Sequence, residues 1–250
     1  NYADWLSLNG LFNFEVPDSM DIGIPLTVPF LHAAAWEIFG KSLFVSHLLM
    51  WPFVWGLLWQ IFRLVDFFVD DKRLIWWVFA LVLADPTFCA MLTLINYEVI
   101  QYFLFFGAVN AVLRKNAMLK TVFLFFLSIV SFRSMMLCAG VFLLDAFMLF
   151  VDRRNVKQLS PLMLVPYVVG ALPAIGFLSW HYLSKGWIFG NPDSPWAECW
   201  TFVDAKGFVR NVAVLVHRLV DFGRVFLWIA LLAVVWINRK SFHLKEYQSL

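Results

Sequence analysis

Long apolar stretches separated by short charged turns set the pattern of the chain. A bilayer core about 30 Å thick is crossed by about 20 apolar helical residues, fewer where a helix is packed inside protein. By that ruler Ser42 to Phe62 is a first span, closed by the hydrophilic turn Arg63, Asp66, Asp70, Asp71, Lys72 and Arg73. Leu74 to Ile95 follows, interrupted at Asp85-Pro86, and Tyr97 to Leu113 comes after almost no connection. Beyond the basic turn Arg114 to Lys120, two short helices, Thr121 to Ser131 and Ser134 to Val151, flank Phe132-Arg133. The charged turn Asp152 to Lys157 leads to Pro161 to Trp180, and the polar stretch His181 to Asn211 leads to a last span, Val212 to Trp236. The expectation is an all-α bundle of about seven spans, with boundaries at 1–41, 42–180, 181–211 and 212–250.

Alternation of sides makes the basic residues a check on that order. One side receives Arg63, Lys72, Arg73, Arg114, Lys115, Lys120, Arg153, Arg154, Lys157, Arg239, Lys240 and Lys245. The other receives Lys41, Arg133, Lys185, Lys206 and Arg210. Twelve against five makes the first side cytoplasmic. Residues 1–41 and 181–211 then share the non-cytoplasmic side. Ile24 to Gly40, apolar but short and carrying Pro25, Pro29, His32 and Glu37, reads as a juxtamembrane amphipathic helix there. A non-cytoplasmic start at Asn1 carries the expectation of at least one further helix upstream. The short loops suggest a bacterial inner membrane.

Composition agrees with a multi-pass membrane protein. Of 250 residues, 62% are hydrophobic and 14% charged, against about 25% charged in soluble domains. Disorder and a cytosolic α/β enzyme are excluded, and the apolar runs are too continuous for an outer-membrane barrel. A net charge of +2 gives no reason to expect nucleic acid as a partner. Cys89, Cys138 and Cys199 show no CxxC spacing and no metal-finger pattern with the five histidines.

Ionisable groups inside an apolar bundle are costly and mark candidate sites. Asp85 before Pro86 is either a helix cap or a functional carboxylate. Glu98 opens its span, where the helix dipole favours a carboxylate. Arg133 sits in an outer turn, as an interfacial cation or an anion-binding group. His217, Arg218, Asp221 and Arg224 fall at spacings that allow mutual neutralisation in the last span, with Asp145 as another buried acid. Asp4, Glu15, Asp18 and Asp21 crowd the N-terminal segment. Carboxylates there can act as a general base or as ligands for a divalent metal such as Mg or Mn.

The passage Asp21-Ile22-Gly23-Ile24-Pro25-Leu26 followed by Trp36-Glu37-Ile38-Phe39-Gly40-Lys41-Ser42-Leu43 resembles the GT-C superfamily of membrane glycosyltransferases. The branch is that of protein O-mannosyltransferases and lipid A aminoarabinose transferases. Asp85-Pro86-Thr87-Phe88, Glu98 and Ser131-Phe132-Arg133-Ser134 extend the resemblance over residues 1–155, with Ile24 standing where those proteins carry His or Lys. The resemblance implies sugar transfer from a polyprenyl-phosphate donor to a hydroxyl acceptor on a lipid, glycan or protein. It implies Asp4 or Asp21 as the base, and Arg133, Lys185 or His181 on the donor phosphate. Glu98 and Asp85 would be second acids toward a metal or the acceptor. A transporter using Asp85 and Asp221, and a non-catalytic scaffold, are the alternatives.

Overall fold

The computed structural model describes residues 2–151, 161–188, 191, 201, 203–221 and 224–238. The turn 152–157, Cys199 and the basic tail beyond 238 lie outside the described residues. Among the described residues the chain is helical, with no strand: α1 (Tyr2–Asn9), α2 (Thr27–Phe39), α3 (Leu43–Phe68), α4 (Lys72–Leu83), α5 (Pro86–Thr93), α6 (Tyr97–Leu113), α7 (Ala117–Leu127), α8 (Phe132–Val151), a 3-10 turn at Pro161–Leu164, α9 (Val165–Lys185), α10 (Ala205–Val220) and α11 (Arg224–Asn238).

Side-chain caps explain where many of these helices start. The side chains of Ser42, Asp71, Asp85, Asn96, Asn116 and Asp204 each accept a hydrogen bond from the backbone N–H of the second or third residue of the helix that follows, satisfying a donor the helix itself leaves open. Asp85 is thus a cap. Its Oδ1 accepts from the Phe88 N–H at 2.9 Å, and α4 and α5 bend by 71° across it. The span expected over 74–95 is therefore broken.

α3 and α8 are long and apolar enough to cross a bilayer, and the bent pair α4–α5 makes a third candidate. α6 and α7, at 17 and 11 residues, rise only about 25 Å and about 17 Å, so the seven spans read from hydropathy are not all of crossing length. The final span expected over 212–236 is also divided. α10 ends with Asp221 as its cap and α11 starts at Arg224.

α6 forms the middle of the bundle, packed against α3, α7 and α8, while α7 packs against α9. Leu57, Ile61, Val99, Leu104, Leu127 and Val130 make the core between them. Gly170 lets α9 approach α7 closely: a Cβ there would stand 2.7 Å from that of Leu124. Buried polar groups are tied across helices. The Asn110 amide donates to the Gln60 carbonyl at 2.8 Å, and Ser131 and Ser134 share Gln101 Oε1 at 3.0 Å each. Lys120 and Tyr167 both meet Asp145 Oδ2, at 2.5 and 2.6 Å, joining α7, α8 and α9. Trp51, Trp55 and Trp59 face outward in a stripe one turn apart on α3, the exposure expected of a lipid-facing surface.

Candidate functional site

The segment linking α1 to α2 carries most of the acidic residues, and the end of α9 holds it in place. Asp21 is 7% exposed. Its Oδ1 accepts the Gly23 N–H at 2.7 Å and its Oδ2 meets His181 Nε2 at 3.3 Å. His181 Nδ1 lies 2.9 Å from the Trp187 carbonyl, which can only accept, so that nitrogen carries a hydrogen. The contact to the carboxylate then needs a second proton shared within the Asp21–His181 pair. One turn on, Lys185 Nζ donates to Val16 O and Asp18 Oδ1, each at 2.7 Å, and the Asn191 amide donates to Asp18 O at 2.8 Å. The Tyr2 hydroxyl accepts the Ile22 N–H at 2.7 Å, and burial pushes its phenol up to about 12, so it stays neutral at physiological pH. Contacts from 16–21 to His181, Lys185 and Asn191 place these residues on the same face of the bundle.

Gly23 is the turn on which this assembly depends. Its φ is +79°, in the left-handed region, and a Cβ there would lie 2.6 Å from the Trp187 ring. Gly23→Ala is expected to destabilise the protein by about 2 kcal/mol or more, lowering the detergent-solubilised Tm by roughly 4–8 °C. An unchanged Tm would show that the turn tolerates a side chain.

Two cavities flank the step that follows. One, of about 420 Å³, is apolar, walled by Phe14, Leu26, Phe30, Ile129, Phe177 and Trp180. The other, of about 640 Å³, carries polar groups from His32, Trp36, Lys41, Ser42, Ser46 and Asn96. Pro25 lines both. Within the second, His32 Nδ1 donates to Val28 O at 3.0 Å, and its Nε2 has no hydrogen-bond partner among the described residues. Trp36 Nε1 donates to Ser46 Oγ at 2.8 Å. Lys41 pairs with Asp4, whose side chain is 34% exposed. Asn96 Oδ1 accepts the Glu98 N–H at 2.7 Å, and Glu98 faces Arg133 at 3.6 Å. Arg133 is itself 72% exposed at the start of α8.

The residues singled out from the sequence are thus drawn into separate groups. Asp21, His181 and Lys185 come together, but they grip the acidic segment and none of them lines either cavity. Asp4 pairs with Lys41 beside the second cavity, and Glu98 orients toward Arg133. Asp85 stands apart and accepts from Arg224 Nε at 2.9 Å, a partner that the spacing around Asp221 had not suggested. Among the described residues no three of His, Cys, Asp and Glu converge. His32 and Lys41 were not read as site residues. The signal for Lys41 was the Gly40-Lys41-Ser42 link, where a left-handed glycine ends α2 and a serine caps α3, leaving Lys41 in the corner.

Comparison with known protein families, curated proteins and solved structures finds no match to this chain. The family resemblance rests on its short motifs.

Proposed function

We propose that this chain transfers a sugar from a polyprenyl-phosphate donor to a hydroxyl acceptor, on a lipid, glycan or protein, at the non-cytoplasmic face of a bacterial inner membrane. The proposal keeps a seven-crossing order in which α6 and α7 cross as short, protein-packed helices. One observation carries the reading. Pro25 lines both an apolar cavity walled by aromatic rings and a second cavity into which His32, Lys41, Ser42 and Asn96 bring polar groups, with Asp4 paired to Lys41, and a lipid-linked sugar needs both environments side by side.

In this reading the first isoprene units occupy the cavity between Phe14, Phe30 and Trp180, and the sugar enters the cavity beside Lys41. Asp4, the accessible one of the two candidate acids, takes the proton of the attacking hydroxyl. Arg133, exposed and only loosely paired with Glu98, meets the charge that develops on the departing lipid phosphate. Asp21, His181 and Lys185 position the segment that carries Pro25. A transporter draws less support, because the bundle's carboxylates Asp85 and Asp145 each already hold a cation.

A polyprenyl phosphate bearing a diazirine on its first isoprene unit tests this reading in membranes. Labelling is expected within 14–30 and 177–180 and to fall when unlabelled polyprenyl phosphate competes. Labelling confined to the outward tryptophans of α3, with no competition, would contradict it.

A further inference from the structure

The amphipathic helix α10 has no role in the site described above. At 100° per residue its sixteen side chains sort into two faces. Lys206, Arg210 and His217 fall within one narrow arc and Arg218 lies apart from it, on the flank between the two faces, while no acidic residue occurs between Ala205 and Val220. Phe208, Val212, Leu215, Val216 and Leu219 occupy the opposite arc. Among the described residues nothing covers this apolar arc: Phe208 is 64% and Leu215 62% exposed, and the main neighbour of α10 is α11. The basic side chains are exposed as well.

Two fixed cations opposite five bare apolar side chains, with Arg218 on the flank where a long side chain can reach up from the apolar edge, match the boundary of a bilayer, where the apolar face sinks among the acyl chains and the cations meet headgroup phosphates. Continuity points the same way. α11 is an apolar helix that begins four residues after α10 ends, and Arg224 at its start is anchored to Asp85 at the bend of the broken α4–α5 pair. The same guanidinium donates to the Arg218 carbonyl at 3.0 Å, which ties the end of α10 to that bend. The distribution of basic residues adds a chemical reason. The positive-inside pattern disfavours Lys206 and Arg210 on the sparsely basic side, so a local anionic partner accounts for their presence there.

We infer that α10 lies flat in the bilayer interface and that Lys206, Arg210 and Arg218 bind the headgroups of anionic phospholipids. This surface is independent of the sugar-transfer reading and would stand if that reading failed.

The full chain, reconstituted in vesicles of phosphatidylcholine alone or of an equimolar mixture with phosphatidylglycerol, gives the test through amide hydrogen exchange over 205–220. Exchange is expected to be slower in the anionic vesicles by on the order of tenfold to a hundredfold, with the difference shrinking in high salt. The triple variant Lys206→Gln, Arg210→Gln, Arg218→Gln should exchange alike in both vesicles, and exchange in α3 and α6 should not change. Equal exchange of the wild type in the two vesicles would overturn the inference. So would protection that ignores lipid charge but rises with the protein-to-lipid ratio, which would instead assign the apolar face to a second copy of the chain.

Discussion

Asp4→Asn is expected to lower sugar transfer by about 10²- to 10⁴-fold while leaving the protein folded. The substitution keeps the shape of the side chain and still offers Lys41 an oxygen, but the amide cannot accept the proton of an attacking hydroxyl. Stability should barely move. The Asp4–Lys41 pair is solvent-exposed on both sides, and such pairs contribute about 1 kcal/mol or less. Asp21→Asn provides the contrast. That carboxylate is enclosed by Gly23 and His181, so its loss should lower stability and transfer together. A variant Asp4→Asn that retains transfer at the wild-type rate, alongside an Asp21→Asn protein that stays folded but inactive, would move the base from Asp4 to Asp21.

The second large effect is on stability. His181→Leu is expected to cost about 3 kcal/mol, a fall in Tm of roughly 6–12 °C for a chain of this size. The leucine removes the imidazole that meets Asp21 Oδ2 and the Trp187 carbonyl, leaving a buried carboxylate with the Gly23 N–H alone. Breaking one side of a buried pair costs more than removing both sides, because the remaining group keeps its desolvation penalty without its partner. The double variant Asp21→Leu, His181→Leu should therefore be destabilised by less than the sum of the single losses. Thermal unfolding followed by far-ultraviolet circular dichroism, on all three proteins in the same detergent, reads this directly. Additive losses would show that the two side chains do not act as a pair.

Helix starts were the most legible part of this fold. Ser42, Asp71, Asp85, Asn96 and Asn116 stand before apolar runs, and each caps a helix, since a short polar side chain there satisfies a backbone donor that nothing else can reach in an apolar bundle. The division of the last span was hidden because the apolar face of α10 and the apolar run of α11 merge in a hydropathy reading. Only the angular placement of Lys206, Arg210 and His217 separates them.

Within the site, Asp4, Asp21, Glu98 and Arg133 were recognisable as costly groups beside the bundle mouth, but their partners were not. Asp21 and His181 are 160 residues apart, and Asp85 and Arg224 are 139 apart. No local spacing encodes such pairings, which arise only once α9 and α11 return to the same end of the bundle. His181 and Lys185 read as free cations for a phosphate because their acceptors, among them the Val16 and Trp187 carbonyls, are backbone groups that a sequence does not advertise. The burial that sets Asp21 apart from Asp4 is likewise a property of the packed segment rather than of either residue's neighbours in sequence.

Transfer itself is the most direct measurement. Membranes containing the wild-type chain, supplied with radiolabelled polyprenyl-phosphate sugars and an extract of envelope lipids and glycans, should release free polyprenyl phosphate in step with label appearing on an acceptor. The same membranes carrying Asp4→Asn should show neither. Label that stays on the donor with every polyprenyl-phosphate sugar supplied, from a protein whose Tm confirms that it is folded, would contradict the assignment of this chain as a glycosyltransferase.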